Sequence, residues 1–318
     1  TEPLCLHSLE WMVRAITDRP DPRSWPGFDH QRDHPHIIGN STTKHVEYLL
    51  GAYGSHIRPA VFRRVFVRAV LWTLTHGRDE GRRREVLADA AALGLTNMLR
   101  DTRFHSLVRD RAEPFDPRDT RADALVEQYA AAVSLSGFAD QVRAAVDIYY
   151  VRYHTILAAI RDGRAHDPAL GLGAHAGTSL VAPMPGVGVF LAVVKGWLAD
   201  AAEAFHDRLA VHVREKTGSP PANPPGTLRA VGRWFAAHPA RVAIVTSSIA
   251  YEADIVLAEV FRELREEVQA WPLPAEQRAR VSQGFTDPRA FYDAFVTASD
   301  SSEIRLKPHR DLYSIALY

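Results

Sequence analysis

The 318-residue sequence has very little cysteine: one residue, Cys5. A single thiol cannot close an intrachain disulfide, and no CxxC pair exists to begin a zinc ribbon or a redox centre. A reducing compartment, the cytoplasm, is therefore expected. An excess of charge of one sign is also missing, because 38 Lys+Arg balance 38 Asp+Glu. That balance leaves no basic field for nucleic acid or an anionic membrane surface, so neither is expected as a partner. No run of roughly 18 apolar residues occurs, and the opening TEPLCLHSLEW has no basic segment leading into an apolar one. Neither a membrane span nor a signal peptide is expected. GxSxG, HExxH and Walker loops are absent too, which removes three common routes to hydrolytic chemistry.

What is present is enough apolar sequence, 46% of residues against 24% charged, to bury a sizeable core in two domains or in one with a large insertion. From about residue 5 to residue 165 the period is helical. Ile57, Val61, Phe62, Val65, Phe66, Val70 and Leu74 recur at three- and four-residue steps, as do Phe138, Val142, Val146, Tyr149, Tyr153, Ile156, Leu157 and Ile160, each set marking one helix stripe. The proline-rich stretches at 18–27 and 113–119 are expected loops between helices.

In the second half, short β-branched runs alternate with helical stretches. Arg241 to Val245 reads as a buried strand, Tyr251 to Trp271 as a helix, and Phe295 to Thr297 as a second strand. This alternation predicts parallel βαβ units, in which ligands bind beyond the carboxyl ends of the strands. The residues after Val245 and Val296 are therefore the ones to inspect. A hydroxyl there, on Thr246, is positioned to donate to a phosphoryl oxygen, and the N–H groups of Ser247 and Ser248 at the turn into a helix add donors.

Four fragments stand in order: Pro183 to Val187, Arg241 to Ser248, Phe295 to Asp300, and LKPHRDLYSIAL at 306–317. Together they resemble the core of the haloacid dehalogenase-like superfamily, mostly magnesium-dependent phosphohydrolases. The resemblance implies an α/β fold: a Rossmann-like parallel sheet core with a large all-helical cap domain. Residues 1–4 would start the core, 5–170 form the cap, and 171–318 complete the core. It further implies hydrolysis of a phosphorylated small molecule through an aspartyl-phosphate, with Mg2+ as cofactor, Thr246 and Ser247 binding phosphate, and Lys307 balancing charge. Leu306 and Arg310 depart from the family pattern, as does a long stretch between Val187 and Thr246 containing SPPANPPG.

The family's DxDGT nucleophile motif and second acidic motif are not found in the 318 residues. The central first strand, ending in DxDGT, is expected just before Thr1, and the strand leading to the second acidic motif after Tyr318. A catalytically inactive scaffold, a phosphosugar mutase and a dehalogenase stay open as alternatives. Asn40, in the polar segment Asn40 to Lys44, is a candidate substrate-facing residue, although an N-cap is the better explanation of the segment. His30, His34 and His36 lack the spacing of a known zinc site, and Gly171 to Ala176 fits GxGxxA without the strand that a dinucleotide site requires. The run Arg82 to Arg84 reads as an exposed helix start.

Overall fold

The computed structural model describes residues 2–17, 19, 25–109, 120–167, 170, 179–220, 222–300 and 311–317. The chain divides into two compact units, Thr1–Leu180 and Val181–Tyr318.

The first unit contains α1 (Glu2–Thr17), α2 (His34–Ile37), α3 (Thr42–Tyr53), α4 (Pro59–His76), α5 (Glu80–Ala92), α6 (Thr96–Leu99), α7 (Thr102–Arg109), α8 (Thr120–Tyr129) and α9 (Phe138–Arg161). Local chemistry sets several of the starts. Ser41 accepts the Lys44 N–H to cap α3, Asp79 accepts the Arg82 N–H to cap α5, and Pro59 opens α4, where its missing N–H leaves no bond unmade. Helices α1, α3 and α4 all pack on α9. Their buried stripes are Leu9, Met12 and Ile16; Val46, Leu49 and Leu50; and Phe62, Phe66, Val70 and Leu74, while α9 buries Ile148, Ile156 and Leu157. Each large side chain withdrawn from water contributes roughly 1.5–3 kcal/mol, so these stripes outweigh any single polar contact. Two details differ from the sequence reading. Phe138, at the first position of α9, is 53% exposed, and Arg82, expected on an exposed face, is buried because its guanidinium meets Asp147 of α9.

The second unit contains α10 (Val187–Val194), a 3-10 segment (Ala199–Phe205), α11 (His206–Thr217), α12 (Pro225–Ala237), β1 (Ala243–Val245), α13 (Ala250–Gln269), α14 (Ala275–Gly284), α15 (Pro288–Phe291), β2 (Ala294–Val296) and α16 (Asp311–Leu317). Here the expected fold class is corrected. Helix makes up 70% of the structure and strand 2%, and the two strands among the described residues form one parallel pair, not a Rossmann-like sheet core beneath a cap. The physical reason lies in where the apolar mass goes. Phe261, Leu264 and Val268 of α13 pack with Phe205, Trp271, Val281, Phe285 and Phe291, and with Val189 and Val193 of α10, in a core made between helices. The run Arg241 to Val245 is not a buried strand: Arg241 and Ala243 are exposed, and Ile244 and Val245 half-buried. Its β-branched pattern identifies the strand but not its surroundings, since burial depends on neighbours distant in sequence.

Candidate functional site

The parallel pair aligns Ala243 with Ala294, Ile244 with Phe295 and Val245 with Val296. At the amino ends Asp293 fixes that register. Its N–H donates to Val242 O at 2.8 Å, and its carboxylate accepts from Val242 N at 2.7 Å and from Lys195 Nζ at 2.8 Å. The Lys195 ammonium, then the Val242 N–H, lower the Asp293 carboxyl below its ordinary range.

At the carboxyl ends the two chains stay joined for several residues. Thr246 N donates to Val296 O at 2.9 Å, and Ala298 N donates to Ser248 O at 2.9 Å. Thr246 Oγ1 accepts the Ser248 N–H at 3.1 Å, which folds the Thr246 to Ser248 turn back on itself. On the second strand Thr297, buried, donates its hydroxyl to Asp300 Oδ2 at 3.0 Å and also donates its N–H there, while Ser299 N donates to Thr297 Oγ1 at 3.2 Å. Ser299 Oγ in turn accepts the Ala250 N–H at 2.9 Å, at the first turn of α13. Each loop thus orders the other, and five hydroxyl residues with one carboxylate gather at one end of the pair.

Two donors in this arrangement remain available. Thr246 Oγ1 accepts the Ser248 N–H, and its own proton meets no acceptor among the described residues. The N–H of Ser247, an exposed residue, meets no acceptor among the described residues. A half-buried hydroxyl and an adjacent exposed N–H, held at the start of a 20-residue helix whose dipole favours anions, form a pair of donors suited to two oxygens of one phosphoryl group.

Thr246 and Ser247, neighbours in sequence, both lie in the turn that follows β1. Asp300, which holds the second loop, carried no distinguishing signal beyond its place three residues after the hydroxyl of Thr297. Lys307 lies outside the described residues, as does Gly171 to Ala176. Asn40 belongs to the other unit, where its amide donates to His36 O at 3.1 Å and closes the turn before α3. Nearby, His30 faces His34 with ring centroids 4.4 Å apart, and His36 stacks on Tyr48. No group of three or more His, Cys, Asp or Glu able to hold a metal occurs among the described residues. Magnesium in particular asks for octahedral oxygen ligands with one or two carboxylates. The described strand ends offer Asp300 alone, already accepting two bonds from Thr297, and do not fit that ion by themselves.

No helix among the described residues is long and apolar enough to cross a membrane. Compared with known family models, curated proteins and solved structures, the chain matches none.

Proposed function

We propose that this protein binds the phosphoryl group of a small phosphorylated molecule at the carboxyl ends of β1 and β2 and acts on it as a phosphohydrolase. The observation that carries this reading is the Thr246 hydroxyl beside the Ser247 N–H, neither of which donates to an acceptor among the described residues. Donors fixed in place before the substrate arrives stabilise charge on phosphoryl oxygens without reorganising, which is the main source of rate enhancement in phosphoryl transfer. Lys307, assigned by resemblance, would add the positive charge. The single cysteine and balanced charge support a reducing, cytoplasmic setting and a small-molecule substrate over nucleic acid.

The nucleophile is an aspartate by the same resemblance, yet no DxDGT motif is found in the sequence. That fact favours a second reading, a phosphate-binding protein without turnover. Release of phosphate from p-nitrophenyl phosphate, measured with and without Mg2+, separates the two. Turnover lost in EDTA and restored by Mg2+ supports the phosphohydrolase. Saturable phosphate binding without turnover supports the binding protein, and neither binding nor turnover removes both.

A further inference from the structure

A cleft of about 550 Å³ opens in the first unit where the turn from α3 into α4 meets the turn into α9. That volume suits a single small ligand. Its apolar surface comes from Ile57 and Pro59 before α4 and from Leu135 before α9. The loop bearing Leu135 is fixed before any ligand arrives, because Ser134 N donates to Leu93 O at 2.9 Å and the Gln141 amide donates to Leu135 O at 3.2 Å.

The polar groups of the cleft are mostly donors. Arg63 of α4, half-buried, makes neither a hydrogen bond nor an ion pair among the described residues. Its neighbours on the same helix differ: Arg64 pairs with Glu127, and Arg68 pairs with Asp123. Across the cleft, the hydroxyls of Ser134 and Ser136 and the N–H groups of Leu135 and Ser136 also meet no partner among the described residues. No acid is among the described residues that line the cleft. Asp140, in the first turn of α9, is the acid closest in sequence to the loop, and it accepts the Gly137 N–H at 3.3 Å. A guanidinium has only donors to offer and does not lose its proton, so a cleft that sets it beside further donors is complete only with an anion.

We infer that this cleft binds a small organic oxyanion, a carboxylate or a phosphate monoester, with its charged end on Arg63 and the Ser134 to Ser136 loop and its carbon chain along Ile57, Pro59 and Leu135. The planar guanidinium matches two oxygens of either headgroup, and such charge-assisted bonds are the strong ones. The chain of the ligand replaces water over the apolar surface. The site uses residues of the first unit alone and stands apart from the phosphoryl reading of Thr246.

Calorimetric titration of the full chain with hexanoate, hexyl phosphate and hexanamide tests it, and hydrogen exchange read by mass spectrometry locates the bound probe. Hexyl phosphate is titrated into Thr246→Val, so that the other site does not contribute. Saturable binding of hexanoate or hexyl phosphate is expected, the tighter of the two identifying the headgroup, with slowed exchange over residues 131–141. Hexanamide, which keeps the chain and lacks the charge, should bind roughly tenfold or more weakly. Arg63 has no partner to lose, so Arg63→Gln should keep the wild-type melting temperature while weakening the anion roughly tenfold or more. The double variant Ser134→Ala with Ser136→Ala, checked by circular dichroism, should weaken it several-fold with Arg63 in place. Wild-type affinity in folded Arg63→Gln, equal binding of hexanamide, slowed exchange only outside the cleft, or no saturable binding of either anion overturns the inference.

Discussion

Arg82 and Asp147, 65 residues apart in sequence, form a buried ion pair between α5 and α9 in which one oxygen of the carboxylate, Oδ2, and the guanidinium Nε have no hydrogen-bond partner. The pair is enclosed by Tyr150, whose ring lies 4.4 Å from the Arg82 guanidinium carbon, and by Glu85, Asp89 and Arg143. Burial dominates and raises the Asp147 carboxyl to about 7, with Arg82 acting in the opposite sense. Arg82 is itself held charged against burial by Asp147. Burial prevails at Asp147 because its second oxygen has nothing to replace the water it loses.

The sign of the resulting pH effect follows from linkage. Between the unfolded value near 4 and about 7 the folded state holds a proton that the unfolded state releases, so stability falls as pH rises through that window. Asp147→Asn removes the titration. Urea unfolding of the two proteins from pH 4 to pH 8 should show wild type losing a few kcal/mol relative to Asp147→Asn, the loss levelling off above about pH 7. A constant difference across that range would refute the raised carboxyl.

Asp33 shows the opposite case. Also fully buried, it accepts from Arg32 Nε at 2.9 Å, from the hydroxyls of Tyr48 and Tyr53 at 2.8 Å each, and from Asp29 N at 2.7 Å. Burial is the largest influence and works to raise it, but these donors together outweigh burial and hold it well below the ordinary carboxylate range. Its contribution is therefore present above about pH 4 and is lost as pH falls. Asp33→Asn should cost about 2–4 kcal/mol near neutral pH, as expected when a buried, hydrogen-bonded carboxylate is neutralised. The cost should shrink toward pH 2, and thermal unfolding at pH 7 and pH 2.5 measures both values.

These two carboxylates also mark the limit of what the sequence discloses. Helix stripes such as Phe62, Phe66, Val70 and Leu74 were legible because burial on a helix repeats every three to four residues. The short strands before Thr246 and Thr297 were legible from their β-branched and aromatic runs, although the burial expected of the first was not met. Arg82 was misread as exposed because its partner lies on a distant helix, and local pattern contains no term for that. The sheet was overread for a similar reason: Ala243 to Val245 has strand propensity, but the apolar residues of α10, α13 and α14 pack on one another.

Gly232 in α12 faces the 3-10 segment, where a β-carbon would stand 2.1 Å from Ala199 O and 2.8 Å from Ala202 Cβ. Ala199 is itself the one non-glycine described residue with positive φ, at 47°, so that backbone is already fixed in a left-handed turn. In an open helix Gly→Ala would gain roughly 1 kcal/mol. Here overpacking against backbone outweighs it, and Gly232→Ala should destabilise by about 1–3 kcal/mol in chemical denaturation. A stabilised variant would mean that α12 can move off the segment freely.

Thr246 carries the functional reading. Its Oγ1 accepts from Ser248 N, so Thr246→Val removes both the bond that folds the turn and the proton offered to a phosphoryl oxygen, whereas Thr246→Ser keeps the hydroxyl and loses only a methyl group. A hydrogen bond to a charged group is worth about 1.5–3 kcal/mol, which corresponds to roughly tenfold or more in binding. Thr246→Val should therefore weaken inorganic phosphate binding by about 10- to 100-fold and lower any turnover by a similar factor, while Thr246→Ser stays within about threefold of wild type. Loss of a structural bond alone would lower the melting temperature without changing phosphate affinity in the folded fraction. Affinity and melting temperature measured together on Val, Ser and wild-type proteins therefore separate a ligand-binding hydroxyl from one that only shapes the turn.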